Sequence, residues 1–178
     1  AGLIVMQDAF LPSQEPQLVK LDPPRVPFVV AFNPTTEHLF VTAPYDNLVV
    51  VLDPYSIQWN RGSWVNWQGR PVFVLDRANA GWIAEIGVGR GAEEGIAVNP
   101  LTGYVYVTNA DSYTVSIILD DPTPANIRWI MDLEVGEHPQ GVDVDPTRNL
   151  IYVGNAWSRD LTVIDGATQT VVKTIPLE

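Results

Sequence analysis

The chain contains an internal repeat: three stretches follow the same order of apolar strands and turns. Each unit opens with a short apolar strand that ends at an Asn-Pro or Asp-Pro pair and leads into a second strand, over residues 27–42, 93–109 and 139–155. A third apolar strand then ends at an aspartate, namely Asp53, Asp120 or Asp165. A chain of this kind is expected to fold as a row of similar small units, because each unit carries the same alternation of strand and turn.

Each unit is predicted to form one four-stranded antiparallel sheet. The Asx-Pro pairs start turns, because the Asx side chain caps the turn and proline presets φ. A fourth strand closes each unit, over residues 82–88, 130–135 and 171–177. One such sheet cannot bury both apolar faces, so it needs stacked neighbours, and sheet twist lets the stack close radially. The sequence therefore predicts an all-β fold, a β-propeller of four-stranded antiparallel blades; a β-sandwich, the alternative, does not require self-similar units.

The predicted propeller is incomplete. One propeller domain is expected, divided into the outer two strands of an incomplete blade, a blade with an insertion at 54–81, and two further blades, over residues 1–26, 27–92, 93–138 and 139–178. The chain thus holds about three and a half blades, whereas closed propellers have four to eight. Either the chain is part of a longer one, or another chain completes the ring. In both cases exposed strand edges favour association.

Composition excludes several function classes. The formal net charge is −11 and the isoelectric point is near 4.4, so binding to nucleic acid or to an anionic membrane is not expected. Hydrophobic residues make up 46% and charged residues 17%, which excludes a disordered chain. There is no cysteine, so disulfides and thiolate chemistry are excluded, while the compartment stays open.

Two stretches carry a resemblance to a known family. GIAVNPLTGYVYVTNADSYTVSIILD and GVDVDPTRNLIYVGNAWSRDLTVIDGATQTVVKTIPL resemble the YVTN-type β-propeller repeat, and the resemblance covers residues 27–178. It implies a propeller fold. Propellers of this type occur in microbial surface proteins, lactonase-type hydrolases and periplasmic redox enzymes. The resemblance therefore implies an extracytoplasmic location (periplasmic, secreted or cell surface) but no single activity.

Ligand sites of propellers usually lie where the loops between blades meet the loops between second and third strands. The candidate binding residues on these loops are Arg25, Arg90, His138, Trp157 and Arg159. They form a mixed polar set rather than a catalytic constellation, and no catalytic residue is assigned. The other histidine, His38, is expected at the opposite end, so a multi-histidine copper or zinc centre is excluded. No metal and no cofactor are predicted.

Asp143 departs from the repeat on the innermost strand. Its position is held by Ala31 and Ala97 in the other units. A carboxylate between packed blades needs hydrogen bonds or a cation, and Arg90 or Arg25 is its expected partner. Two interpretations stay open, a satisfied structural aspartate and a channel-facing base or metal ligand. The aspartates that end each third strand are predicted to be structural, since they recur in every unit and can accept N–H bonds in the following turn.

The insertion at 54–81 is rich in aromatic residues. It contains Trp59, Trp64 and Trp67 and a predicted strand over residues 71–75. Exposed tryptophans are frequent in binding patches, and a sugar or a protein is a possible ligand. The alternative is a small hairpin that packs its tryptophans on a blade edge.

The function predicted from the sequence is that of a non-enzymatic propeller module. It is expected to serve as a scaffold or as a protein- or ligand-binding surface in an extracytoplasmic protein or complex. The expected partner is another protein chain or the remainder of the propeller. The alternative is part of a propeller enzyme, a lactonase-type hydrolase or a periplasmic redox enzyme, with its active site at the central channel. Enzymatic activity is left open, with the non-enzymatic role favoured.

Overall fold

The computed structural model describes residues 3–6, 17–20, 27–57, 63–67, 70–74, 80–91 and 95–177. Short 3₁₀ turns occur at Pro44–Asp46 and Pro124–Asn126, and no helix in the described residues is long and apolar enough to cross a membrane. The strands, in chain order, are β1 (Leu3–Met6), β2 (Gln17–Lys20), β3 (Val30–Asn33), β4 (His38–Ala43), β5 (Leu48–Leu52), β6 (Ser63–Trp67), β7 (Arg70–Val74), β8 (Trp82–Gly87), β9 (Ile96–Val98), β10 (Tyr104–Asn109), β11 (Thr114–Leu119), β12 (Arg128–Glu134), β13 (Pro139–Asp145), β14 (Leu150–Asn155), β15 (Asp160–Asp165) and β16 (Thr170–Pro176).

Three of the sheets correspond to the three repeat units. Blade 1 has the order β3-β4-β5-β8, blade 2 the order β9-β10-β11-β12 and blade 3 the order β13-β14-β15-β16. Every pairing within them is antiparallel, and in each blade the register shifts where the third strand meets the outer strand. Such bulges increase the local twist. The prediction of an all-β fold with four-stranded antiparallel blades is confirmed.

The apolar cores lie between consecutive blades. Phe40 and Val49 of blade 1 share a buried cluster with Val105 of blade 2. Tyr106 of blade 2 shares the next cluster with Ile151 of blade 3. Because neighbouring residues of a strand point to opposite faces, β10 contributes to both cores. Burial of each aliphatic or phenylalanine side chain stabilises the stack by about 1.5–3 kcal/mol, so each blade depends on its neighbours.

A recurring asparagine joins the second and third strands near one end of the blades. In blade 2 the Asn109 Nδ2 donates to Ser116 Oγ over 2.9 Å, and in blade 3 the Asn155 Nδ2 donates to Thr162 Oγ1 over 2.8 Å. Both asparagines are buried. The last residue of the Tyr-Val-Thr-Asn motif therefore has a structural role in positioning the connection between these strands.

The fourth sheet combines the N-terminal strands with strands of the insertion. Its order is β1-β2-β7-β6, with antiparallel pairing of β1 with β2 and of β6 with β7. The central pair, β2 and β7, is parallel. The sequence predicted β1, β2 and β7 as strands but neither β6 nor this pairing. The register of strands about 50 residues apart depends on tertiary contacts rather than local pattern. The division of the chain into domains remains a prediction.

Candidate functional site

The loop face is the end of the blades at which the second and third strands are joined. At blade 3 the connection over residues 156–159 lies beside the loop that enters the blade. The Trp157 N–H donates to the Glu137 carbonyl over 3.1 Å, and the Ala156 N–H donates to the His138 carbonyl over 3.0 Å. These backbone hydrogen bonds hold the two loops together, so their side chains project from one surface.

Several loop-face residues have a left-handed backbone. Tyr113, His138 and Arg159 have φ values of 58°, 54° and 55°, and Asn47 has 52°. Tyr113, Arg159 and Asn47 each precede the third strand of their blade, so the repeat itself imposes this conformation. A residue other than glycine costs about 1–2 kcal/mol in this region. All three blades retain this strained conformation, because the left-handed residue turns the chain tightly into the third strand.

Three aromatic rings of the loop face form a cluster across the junction of blades 2 and 3. The imidazole of His138 stacks on the indole of Trp157 with ring centroids 4.3 Å apart and planes 13° apart. The phenol of Tyr113 meets Trp157 edge-on at 6.4 Å and 62°. Trp157 is 60% exposed and Tyr113 40% exposed. We call these three residues the aromatic shelf; rigid exposed rings of this kind are favourable contact surfaces for a ligand or partner.

One ring nitrogen of His138 forms no hydrogen bond with the described residues. Its Nδ1 is buried and has no hydrogen-bond partner among the described residues. Buried polar atoms nearly always have a partner, so an unpaired one next to an exposed aromatic ring is unusual. The shelf therefore offers a stacking surface to a partner, while the unpaired Nδ1 lies beneath that surface.

Two predicted arginines of the loop face, Arg159 and Arg90, lie near the shelf but contribute no ion pair to it among the described residues. Arg159 follows Trp157 by two residues and is exposed. Arg90 is also exposed, and its backbone N–H donates to Ser112 Oγ over 2.8 Å. Within the described ranges neither guanidinium forms a salt bridge. Both positive charges are therefore available at this end of the molecule.

The structure does not bring Asp143 to the loop face. Asp143 is exposed, and its Oδ1 accepts a hydrogen bond from the neighbouring Val144 N–H over 2.8 Å. It pairs across the sheet with Tyr152, while Val142 and Val144 belong to the core with blade 2, so Asp143 faces away from blade 2. No ion pair joins it to Arg90 in the described part of the chain. The expected contact with Arg90 is therefore not formed, because Asp143 faces away from blade 2. The expected contact with Arg25 stays a prediction, since Arg25 lies outside the described residues.

The remaining predicted candidates are Arg25 and the three tryptophans of the insertion. Arg25 and Trp59 lie outside the described residues. Trp64 and Trp67 lie on β6, within the fourth sheet, and only their strand positions are defined. The aromatic insertion as a binding patch remains a prediction.

The repeat-end aspartates behave in two different ways. Asp53 accepts hydrogen bonds from Tyr55 N–H and Ser56 N–H, and Asp165 accepts equivalent bonds from the turn that follows it. For these two the predicted structural role is confirmed. Asp120 instead crosses the boundary to blade 1, where its Oδ1 lies 2.7 Å from His38 Nδ1.

The pair formed by His38 and Asp120 was not predicted from the sequence. Oδ2 of Asp120 accepts hydrogen bonds from Asn33 Nδ2 over 2.7 Å and from Thr36 Oγ1, and the Asp120 side chain is fully buried. One signal was present: His38 takes the position of Tyr104 in its repeat unit. The partner was hidden because repeat alignment shows which residues are equivalent, not which ones meet between blades.

No cluster of three or more metal-ligating side chains occurs among the described residues. The pair of His38 and Asp120 supplies two ligands at most, and the aromatic shelf supplies one imidazole. A structural zinc site needs four ligands and a catalytic one usually three from the protein.

Comparison with known proteins identifies the fold. No protein-family model and no curated protein matches the sequence. Among solved structures, hydrazine synthase of Kuenenia stuttgartiensis aligns with a TM-score of 0.63 and 21% identity over 97% of this chain and 39% of that chain. A putative 6-phosphogluconolactonase of Bacteroides fragilis aligns with a TM-score of 0.61 and 16% identity over 99% of this chain and 48% of that chain.

Both similar structures are propeller proteins, and the likeness concerns the fold alone. The chain spans less than half the length of either one. The predicted β-propeller is therefore confirmed as a partial propeller, in which three consecutive four-stranded blades pack side by side.

Proposed function

We propose that the chain is a non-enzymatic propeller module that binds a protein partner through the aromatic shelf on its loop face. The observation that carries this proposal is the stack of His138 on the exposed indole of Trp157, with Tyr113 at its edge. Most binding energy at protein interfaces comes from a few such aromatic anchors. Here the three rings come from two adjacent blades, so the propeller fold preorganises the surface before the partner arrives.

The charges near the shelf support a protein ligand. Arg90 and Arg159 are exposed on the loop face together with Glu137 and Asp111, so charges of both signs surround the rings. Polar residues around an apolar anchor are typical of the rim of a protein interface. We propose that the partner belongs to an extracytoplasmic assembly, a location supported by resemblance to YVTN-type propellers. Fractionation of cells that make the protein tests this location.

Site-specific photocrosslinking in the cells that make the full protein tests the binding role. A photoreactive amino acid is placed at Ala156, the exposed neighbour of Trp157, and, as a matched control, at Leu101, which is 74% exposed in a turn at the opposite end of blade 2. We expect one discrete adduct from position 156 and none from position 101. The His138→Ala substitution should weaken that adduct, because it removes the ring stacked on Trp157. Equal labelling from both positions, or none from 156, would refute the proposal.

A further proposal concerns the face of blade 3 that points away from blade 2, which we call the outward face. We expect another protein segment to cover it. Gly141 and Gly154 line a hollow of about 380 Å³ there, beside Arg159 and Leu177. In blade 2 the position of Gly154 is held by Thr108, whose Oγ1 donates to the Gln140 carbonyl of the next blade over 2.8 Å. The repeat therefore uses this face for contact with a following blade, supplied by the same chain or by a partner chain.

One measurement distinguishes the enzymatic alternative from the non-enzymatic module. A lactonase-type hydrolase or a redox propeller needs ligands or acid and base groups around the central channel, and Asp143 was the candidate. It is exposed on the outward face of blade 3. Metal analysis of the purified native protein separates the two functions: a stoichiometric, tightly held divalent ion would favour the enzyme, and its absence after purification without chelator would favour the module.

A further inference from the structure

A second candidate site lies at the end of the propeller opposite to the loop face. A cleft of about 480 Å³ opens there between blades 1 and 2, and its lining includes Glu37, His38, Asp53, Tyr55 and Trp82. Pockets for small molecules usually measure about 300–1,000 Å³ and combine apolar walls with a few polar groups. This cleft is of that size, its lining is more polar than apolar, and it is separate from the aromatic shelf.

His38 presents one ring nitrogen to this cleft. The side chain is 93% buried, and Nδ1 lies 2.7 Å from Asp120 Oδ1. A carboxylate only accepts hydrogen bonds, so Nδ1 carries the hydrogen and, in the neutral ring, Nε2 carries a lone pair. Among the described residues nothing hydrogen-bonds to Nε2. Asp120 thus fixes both the orientation and the tautomer of a histidine at the wall of the cleft, and Nε2 is left to accept a hydrogen bond from a ligand.

The fold does not need a histidine at this position. The equivalent residues are Tyr104 in blade 2 and Leu150 in blade 3. Between blades 2 and 3 the same region is joined by a simple hydrogen bond of 2.8 Å from Asn99 Nδ2 to Asn149 Oδ1. The pair of His38 and Asp120 is therefore a departure from the repeat at the one blade junction that also carries the cleft.

The cleft chemistry indicates a neutral, hydroxyl-rich ligand. Glu37 and Asp53 line the cleft and Asp120 lies behind His38, so an anionic ligand would be repelled. Tyr55 adds aromatic surface, on which the C–H face of a sugar ring can pack. Carboxylates and the Nε2 lone pair all accept hydrogen bonds from hydroxyl groups. We infer that this cleft binds a mono- or disaccharide, with His38 Nε2 accepting a hydrogen bond from a sugar hydroxyl.

This inference can be tested by NMR, because the chain contains only two histidines. The Cε1–H resonances of His38 and His138 are assigned with the His38→Gln and His138→Gln variants and are followed during titration with maltose. We expect a saturable shift of the His38 resonance at up to about 10 mM, which covers weak sites with a Kd of about 1 mM. The His138 resonance should stay in place, and glucose 6-phosphate should cause no shift.

Two variants separate binding from structure. Tyr55→Ala removes an aromatic wall from a residue that is 56% exposed, so the fold should persist while the maltose-induced shift falls at least severalfold. Tyr45→Ala, at a 78% exposed residue on the loop face, is the matched control and should leave the shift unchanged. The inference is overturned if maltose does not move His38, if both histidines move alike, or if the anionic sugar binds more tightly than the neutral one.

Discussion

At the scale of single residues, the repeat predicted which positions are equivalent but not what each one contacts. Asp53, Asp120 and Asp165 occupy one repeat position, and two of them accept backbone N–H bonds in the following turn as predicted. Asp120 instead reaches His38 in the preceding blade. Local chemistry predicts a turn contact because it lies within three residues. A contact across 82 residues depends on how blades stack, which the pattern does not encode.

The two kinds of aspartate should differ in their contribution to stability. Asp120→Ala leaves the buried groups of Asn33 and His38 without their acceptor, and each unsatisfied buried group costs about 1–3 kcal/mol. Asp165→Ala, the repeat-equivalent control, removes only turn bonds and should lower the free energy of unfolding by about 1 kcal/mol. Urea unfolding of both variants checks this. Equal losses of unfolding free energy would mean that the interblade contacts of Asp120 stabilise the fold no more than the turn bonds of Asp165 do.

Tyr106 gives a residue-scale prediction for alkaline pH. Burial raises the pKa of Tyr106 to about 12, although its hydrogen bond with Gln169 lowers it in part. The unfolded chain has the usual pKa of about 10, so between pH 10 and 12 the unfolded state releases the proton first and stability falls as pH rises. Tyr106→Phe should be less stable than the native chain at pH 7 by about 1 kcal/mol, because it loses the hydrogen bond. The deficit should shrink between pH 10 and 12 in urea unfolding; a constant deficit would contradict the pKa shift.

At the scale of elements, strand positions were predictable and some strand partners were not. The strands β3 to β5 and β8 to β16 follow from apolar runs that end at turn residues. Short connections determine most of their antiparallel pairings, whereas β5 and β8 pair across the insertion, as the comparison of the repeat units predicts. The parallel contact between β2 and β7 joins distant segments, so no local pattern reveals it. The same distinction between local sequence pattern and tertiary contact holds for the aromatic shelf. His138 and Trp157 were predicted from their loops, whereas their stacking depends on two loops that meet in space.

Glycines at the start of the innermost strands test how blades pack. A Cβ at Gly95 would lie 2.2 Å from the Gln140 carbonyl and 2.8 Å from Thr108 Oγ1, so Gly95→Ala must push β9 away from blade 3. Such overpacking costs about 1–3 kcal/mol. Gly141 is the equivalent residue of blade 3, and a Cβ there meets nothing within 4 Å. Urea unfolding should show Gly95→Ala destabilised and Gly141→Ala close to the native chain. A neutral Gly95→Ala would show that the blades can separate without cost.

At the scale of the whole molecule, blade 3 presents a face that its repeat equivalents use for packing. Paired residues share a face, so Tyr152, Leu161 and Ile175 lie on the side of blade 3 away from blade 2, together with Asp143. The corresponding faces of blades 1 and 2 are buried against the next blade. The chain therefore has a stacking surface without a neighbour among the described residues, and we expect this surface to associate with another protein segment.

Light scattering of the purified 178-residue chain tests this consequence. We expect an average mass above the 19.6 kDa of one chain, rising with concentration, because covering the outward face of blade 3 buries apolar surface. Leu161→Lys places a charge on that face and should return the mass to one chain without lowering thermal stability. Leu101→Lys makes the same exchange in a turn that is 74% exposed and serves as the control, since it should leave the mass unchanged. If the native chain keeps the mass of one chain at every concentration, the outward face of blade 3 remains exposed to solvent without association. In that case the hollow formed by Gly141 and Gly154 would not act as a contact surface for a following blade.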